Sequence, residues 1–145
     1  LGASFGMVQL EKLDQNIASR QANFERQCKF FDNYPDYFSN PQETHGCNTA
    51  WLAFPILIKE GTPFTRKEFQ IFLEKRNIQT RVVFTGNILR QPMCQNISKR
   101  VLEEGYPNAD RVMARGVLLP LHHGMTESMF SRFHATVHEF IEQYD

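Results

Sequence analysis

The chain has few cysteines and no excess of charge of either sign. Its three cysteines stand far apart, at Cys28, Cys47 and Cys94. Distant thiols in odd number make a poor disulfide framework and a poor metal site, so we expect reduced, mostly buried thiols. Sixteen basic residues balance sixteen acidic ones, which removes the electrostatic footprint expected of a nucleic-acid-binding protein. An anionic ligand would therefore have to be held by local arginines.

Long apolar runs are also missing. No stretch approaches the roughly 18 to 20 apolar residues that span a bilayer, and no charged-then-apolar leader opens the chain. We therefore expect a cytoplasmic protein without a membrane contact. The sequence starts at Leu1 rather than Met, from which we expect a piece of something longer. With 41% hydrophobic residues and thirteen phenylalanines, residues 1–145 can build one core, so we expect a single domain.

Helical patterns account for much of what is present. Apolar residues recur at spacings of three, four and seven between Leu10 and Phe31, which predicts a helix over about 4–31. Such a helix is long enough to connect two domains. The following DNYPDYFSNPQ is rich in Asn, Asp and Pro and predicts a turn.

Capping residues locate two further helices. Thr65 and Glu68 have the spacing of a capping box, which predicts a helix over 66–76. Thr126 predicts the start of a last helix, and a weaker pattern predicts a short helix over 110–115.

Three β-rich stretches lie between these helices, at 49–58, 79–84 and 117–121. Pro55 cannot donate to a strand ladder, so we expect it at an edge or beside a bulge. The order α-β-α-β-(α)-β-α with short strands predicts an α+β fold, an α/β sandwich with a small, mostly antiparallel sheet and packed helices. No GxGxxG or P-loop is present.

No catalytic or metal site can be assembled from the residues alone. In HATVH, His134 and His138 have the spacing of two metal ligands, but Ala135 stands where the zincin pattern requires Glu. A pair of histidines on one helix face is the better interpretation. His122 and His123 follow a predicted strand, where sites often gather, and a structural role remains an equal alternative.

Three arginines have the chemistry to hold phosphate. Arg81, Arg90 and Arg111 could bind it through planar bidentate contacts, and Gly86 would let backbone approach a ligand closely. The alternative is purely structural, with Arg81 on an exposed strand face, Arg90 in a solvated turn and Arg111 at a helix cap with Asp110.

Several segments together resemble a known family. ASFGMVQLEKLD, WLAFPILIKE, TRKEFQIFLEKRNIQTRVVFTGNILRQP, NADRVM and LPLHHGMT resemble, in order, the C-terminal part of the DegT/DnrJ/EryC1/StrS group of vitamin B6-dependent sugar enzymes. The segment TRVVFTGNILRQP is most similar to the CDP-4-keto-6-deoxyglucose 3-dehydrases. The resemblance implies the C-terminal small domain of the fold-type I aminotransferase plan.

The resemblance also implies what this chain would not contain. The family's cofactor domain, which binds pyridoxal or pyridoxamine phosphate (PLP or PMP), would precede Leu1, so we expect the isolated chain to be inactive. The dehydrases hold a 2Fe-2S cluster and receive electrons from a reductase, but none of the three cysteines here matches a cluster ligand. The family implies a homodimer.

By similarity, Arg111 in NADRVM corresponds to the family arginine that holds the substrate. We expect the other substrate contacts among residues of two nearby segments: Arg81, Gly86, Asn87, Arg90, Gln91 and His122. No residue is assigned to catalysis or to a metal.

The implied function is substrate binding and dimerisation in a 3-dehydrase acting on a CDP-4-keto-6-deoxyhexose, in dideoxysugar formation for lipopolysaccharide O antigen. The first alternative is a nucleotide-sugar 4-aminotransferase, since members of that type often carry a histidine near His122. The second is a stand-alone binding or dimerisation module.

Overall fold

The computed structural model describes residues 2–144, which form five α-helices, four short strands and two 3-10 helices. In chain order these are α1 (Gly2–Glu11), α2 (Leu13–Phe31), β1 (Phe38–Ser39), β2 (Phe54–Ile58), α3 (Arg66–Glu74), β3 (Arg81–Val82), the 3-10 helices Ile88–Arg90 and Pro92–Cys94, α4 (Pro107–Arg115), β4 (Gly116–Leu119) and α5 (Glu127–Ile141). None of these helices is long and apolar enough to cross a membrane.

The sheet is antiparallel throughout, in the order β1-β2-β4-β3. This confirms the predicted α+β fold with a small antiparallel sheet. Pro55 lies opposite Leu118 of β4, whereas β1 pairs only with Leu57 and Ile58. Pro55 therefore has a strand neighbour on one side only, as expected for a residue without an N–H donor.

An aromatic core from α2, α3 and α5 covers one face of the sheet. Alternate residues of β2 are buried, beginning with Phe54. Phe31 of α2 stacks on Phe54 with ring centroids 5.5 Å apart, and Phe140 of α5 lies 5.2 Å from Phe69 of α3. Because this face is dominated by phenylalanine, the helices are held to the sheet mainly by apolar burial.

The predicted first helix is divided at Lys12. The Lys12 N–H binds the carbonyl of Gln9, three residues back instead of four, so one tightened turn separates α1 from α2. Of the two helices only α2 buries residues, Gln27 and Phe31.

The predicted cap of α3 is confirmed. The Thr65 hydroxyl accepts from the Glu68 N–H at 3.2 Å, and the Glu68 carboxylate accepts from the Thr65 N–H at 2.7 Å. At α5, the Thr126 hydroxyl accepts from the Met129 N–H at 3.3 Å.

The strands are shorter than their sequence patterns. Phe84 and Gly86 have φ angles of 47° and 65°, so the chain leaves the extended conformation soon after β3. Pro120, which has no N–H, follows directly after β4. β1 lies inside the segment predicted as a turn, because two residues are too short to show a strand alternation.

Candidate functional site

The turn after β3 packs closely against α4. A Cβ on Gly86 would lie 2.4 Å from the Cβ of Met113 and 2.9 Å from its Cα. Glycine is therefore needed here both for its positive φ and for the close approach of the helix. The candidate Gly86 thus fixes the distance between the turn and α4.

Two further candidates bind a carboxylate at the start of α4. Arg90 donates to both oxygens of Asp110, from Nε at 2.9 Å and from Nη2 at 2.8 Å. Asn87 donates to Asp110 Oδ1 at 2.8 Å, and its own Oδ1 accepts from the Leu89 N–H at 3.0 Å. The hydrogen bonds from Arg90, followed by that from Asn87, lower the pKa of Asp110 to about 2, so its carboxylate is ionised at neutral pH. We call Asn87, Arg90 and Asp110 the Asp110 cluster.

The same turn is braced by two contacts to backbone carbonyls. Gln91 Nε2 donates to the Thr85 carbonyl at 2.8 Å, and Arg66 Nη1 donates to the Met113 carbonyl at 2.6 Å. Gly86, Asn87, Arg90 and Gln91 are thus brought together, and the polar groups of the last three contact the protein itself. Asp110, Arg66 and Met113 were not predicted as parts of the site, since their link to the turn depends on tertiary structure.

Arg111 is placed differently from Arg90. It lies on the exposed side of α4, and its Nη2 donates to Asn108 Oδ1 at 3.1 Å within the same helix. No carboxylate pairs with Arg111 among residues 2–144. Its guanidinium group therefore has donors left for an anionic ligand.

Arg81 and His122 meet in a separate cavity of about 400 Å³ at the end of β4. Arg81 is exposed and has no polar side-chain partner in the described part of the chain. His122 Nδ1 accepts from the Gly124 N–H at 3.1 Å, so the neutral ring carries its proton on Nε2. The cavity walls are otherwise mostly apolar, with Leu52, Pro120 and Leu121 among them. The arrangement offers a cation and a ring N–H donor to a ligand, and Arg111 does not line it.

The two histidines of the pair on α5 contact different residues, His134 on α2 and His138 just after the end of α2. His134 stacks on Phe30 with ring centroids 3.9 Å apart, and its Nε2 lies 2.9 Å from Gln27 Oε1. Burial, with a smaller effect of the Arg26 charge, lowers the pKa of His134 to about 4. His138 Nδ1 contacts the Tyr34 hydroxyl at 2.9 Å. In residues 2–144 no group of three or more His, Cys, Asp or Glu side chains is arranged to hold a metal ion.

The three cysteines are free, but the expectation that they are mostly buried is wrong. Cys47 is exposed, whereas Cys28 and Cys94 are half-buried. Burial, then the charges of Asp32 and Glu25, raise the pKa of Cys28 to about 11.

A family model covers nearly the whole chain. The model of the DegT/DnrJ/EryC1/StrS aminotransferase family matches residues 1–138. The chain belongs to this family. The resemblance seen in the sequence is thereby confirmed.

Two curated members of the family are similar in sequence to most of this chain. The chain is 32% identical over 124 residues to the lipopolysaccharide biosynthesis protein RfbH of Salmonella typhimurium, covering 86% of this chain and 28% of that protein. It is 30% identical over 141 residues to the dTDP-4-dehydro-2,6-dideoxy-D-glucose 3-dehydratase of Saccharopolyspora spinosa, covering 97% of this chain and 30% of that protein. The chain thus spans about three tenths of the length of either relative.

The fold agrees with the solved structure of a sugar 3-dehydratase. The Escherichia coli GDP-4-keto-6-deoxy-D-mannose-3-dehydratase with bound hydrated PLP superposes with a TM-score of 0.77 at 25% identity, covering 90% of this chain and 32% of that chain. This DegT/DnrJ/EryC1/StrS chain is therefore related to PLP-dependent sugar 3-dehydratases and sugar aminotransferases.

The described residues do not fit a complete PLP site. No lysine lines the cavities that hold Arg81, Gly86, Asn87, Gln91 and His122, so these cavities offer no amine to bind the cofactor aldehyde. What the cavity at the end of β4 offers is the guanidinium group of Arg81 and the imidazole of His122, whereas the amides of Asn87 and Gln91 donate to Asp110 and to the Thr85 carbonyl.

Proposed function

We propose that this chain is the substrate-binding and dimerisation domain of a nucleotide-sugar 3-dehydratase. The whole enzyme would use PLP or PMP to remove the C3 hydroxyl from a CDP-linked 4-keto-6-deoxyhexose, a step toward dideoxysugars of lipopolysaccharide O antigen. The observation that carries the proposal is the 30% identity to a sugar 3-dehydratase over 97% of the chain. The similarity to RfbH supports the lipopolysaccharide context.

A nucleotide-sugar 4-aminotransferase is the second candidate. The description of the family names aminotransferases. His122 favours this candidate, because it lines a cavity beside Arg81 in the position where aminotransferase-like members often carry a histidine. Such an enzyme would place an amine at C4 of the sugar and leave the C3 oxygen in place.

The exposed surface of α1 supports a role as one domain of a larger assembly. Phe5, Met7 and Leu10 are 69%, 68% and 69% exposed, and α1 buries none of its residues. Apolar side chains at such density on one helix are costly to leave in water. We propose that a cofactor domain and a second subunit of the homodimer cover them.

Arg111 is the substrate contact that we place first. Its guanidinium group is exposed and has only Asn108 as a described polar partner, so it can donate to the diphosphate of a nucleotide sugar. Arg81 and His122 line a different cavity and would contact another part of the same substrate.

The cofactor and any iron-sulfur cluster would be held mainly outside these residues. When bound, PLP or PMP supplies the electron sink for removal of the C3 oxygen. None of Cys28, Cys47 and Cys94 matches a cluster ligand of the dehydrases, so no cluster is assigned to these residues. A separate reductase would supply the electrons.

The test uses the full-length protein that contains this chain. It is incubated with PMP, a reductant and CDP-4-keto-6-deoxyglucose, and the sugar product is analysed by mass spectrometry and NMR. We expect a product that has lost the C3 oxygen. A product with an amine at C4, formed with an amino donor, would favour the second candidate. The dTDP-linked and GDP-linked forms of the sugar are tested in the same way. If none of the three forms is converted, both candidate functions are contradicted.

A further inference from the structure

Asp110 connects the turn after β3 to the first part of α4. It is the residue before Arg111, and both of its carboxylate oxygens accept from Arg90, at 2.9 and 2.8 Å. Oδ1 also accepts from Asn87 at 2.8 Å. The bidentate geometry fixes direction as well as distance, because the planar guanidinium allows one orientation of the pair.

The donors in this cluster are themselves held in place. Asn87 is only 4% exposed, and its Oδ1 caps the 3-10 helix Ile88–Arg90 by accepting from the Leu89 N–H. Gly86 brings the same turn into contact with Met113. The start and the middle of α4 are thus attached to one turn.

Arg111 depends on this attachment. Its one hydrogen-bond partner in the described part of the chain is Asn108, which lies on the same helix. Side-chain contacts therefore do not fix Arg111 relative to the sheet or to the cavity of Arg81. Its place is set by where α4 lies, and the preceding residue, Asp110, makes the polar contacts that join this part of α4 to the turn.

We propose that the Asp110 cluster positions the first turn of α4 and thereby orients Arg111 toward the nucleotide diphosphate. The ligand's identity rests on the proposed function. Asn87 and Arg90 are then positioning residues, although the sequence suggested them as substrate contacts. Both side chains donate hydrogen bonds to Asp110.

Direct contact of Arg90 with the ligand is the competing explanation. The Arg90 side chain is 64% exposed, so one of its nitrogens still faces solvent. The two explanations differ in how substitutions combine. If Arg90 acts only through Arg111, its loss has no further effect once Arg111 is gone, whereas two independent contacts give additive effects.

The experiment measures CDP binding to the full-length protein by calorimetry. We expect Arg111→Ala to weaken binding about tenfold to hundredfold, as loss of a charged hydrogen bond does. Arg90→Ala should weaken it several-fold, and the double variant should bind as Arg111→Ala does. Arg90→Lys keeps the charge but loses the bidentate pair, so it should also bind more weakly than wild type. Additive losses in the double variant, or wild-type binding by Arg90→Ala, would overturn the proposal.

Hydrogen exchange separates this proposal from the proposed function. We expect the amides of α4 to exchange several-fold faster in Arg90→Ala and Asp110→Asn, with Lys29→Ala on α2 as an unaffected control. Unchanged exchange in α4 would overturn the positioning role. Should the wild-type protein fail to bind CDP while α4 still loosens in these variants, the proposed ligand is wrong and the structural role of the cluster stands.

Discussion

Substitution of Gly86 by alanine tests how closely the turn after β3 approaches α4. Gly86 has a φ of 65°, and left-handed backbone costs an L-residue roughly 1–2 kcal/mol. An added Cβ would also lie 2.4 Å from both Cβ and Cγ of Met113, and overpacking of this kind typically costs roughly 1–3 kcal/mol. We therefore expect Gly86→Ala to lower the free energy of unfolding by roughly 2–5 kcal/mol.

Gly61 provides the matched control. Its φ is 80°, but no atom lies within 4 Å of a Cβ built there, so Gly61→Ala carries the backbone cost alone. We expect Gly61→Ala to lower the free energy of unfolding by roughly 1–2 kcal/mol. Met113→Ala should not rescue Gly86→Ala, because the alanine keeps the Cβ at 2.4 Å and the backbone Cα at 2.9 Å.

Equilibrium urea unfolding of the three variants measures these differences, provided that the slope with denaturant is the same in all. If Gly86→Ala lowers the free energy of unfolding no more than Gly61→Ala does, the close approach of Gly86 to Met113 is refuted. Full rescue by Met113→Ala would refute it as well.

Three further outcomes follow from other parts of the fold. Thr65→Ala removes the acceptor for the Glu68 N–H and should lower the free energy of unfolding by about 1 kcal/mol; unchanged urea stability would count against the cap. At about pH 8 a thiol reagent should modify exposed Cys47 well before Cys28, whose pKa is raised to about 11, and equal rates would contradict this. NMR of His134 should show a neutral ring down to about pH 5, with protonation near 4 instead of the ordinary 6.5. Because the unfolded chain binds that proton first, the contribution of His134 to the free energy of unfolding is complete above about pH 6.5 and falls as the pH drops toward 4. An NMR titration midpoint of His134 near pH 6.5 would contradict this prediction.

Features set by neighbouring residues were predictable from the sequence. The capping box of Thr65 and Glu68 acts over three residues, so its chemistry can be read along the chain. The spacing of apolar residues located the first helical region. It did not show the division at Lys12, where the N–H binds the carbonyl three residues back instead of four. β1 was missed because its two residues pair with β2 through tertiary contacts that leave no periodic signal.

The candidate site was likewise predictable where residue type decided it and unpredictable where tertiary contacts did. The arginines and Gly86 could be selected by residue type, and the resemblance to the family added Asn87 and Gln91. Which arginine is engaged by the protein could not be predicted, because Arg90 meets Asp110 across 20 positions of sequence. That pairing changes the roles expected of the two arginines: Arg90 is bound to a carboxylate, and Arg111 is exposed.

The most direct measurement tests the proposed reaction, the removal of the C3 oxygen from CDP-4-keto-6-deoxyglucose, in steady-state assays of the full-length protein and two variants. We predict that Arg111→Ala lowers kcat/KM about tenfold to hundredfold, because a charged hydrogen bond to the substrate is lost. Lys29→Ala, which removes a positive charge from an exposed position on α2, should leave kcat/KM unchanged. Equal kcat/KM values for wild type and Arg111→Ala would contradict the claim that this domain holds the substrate through Arg111.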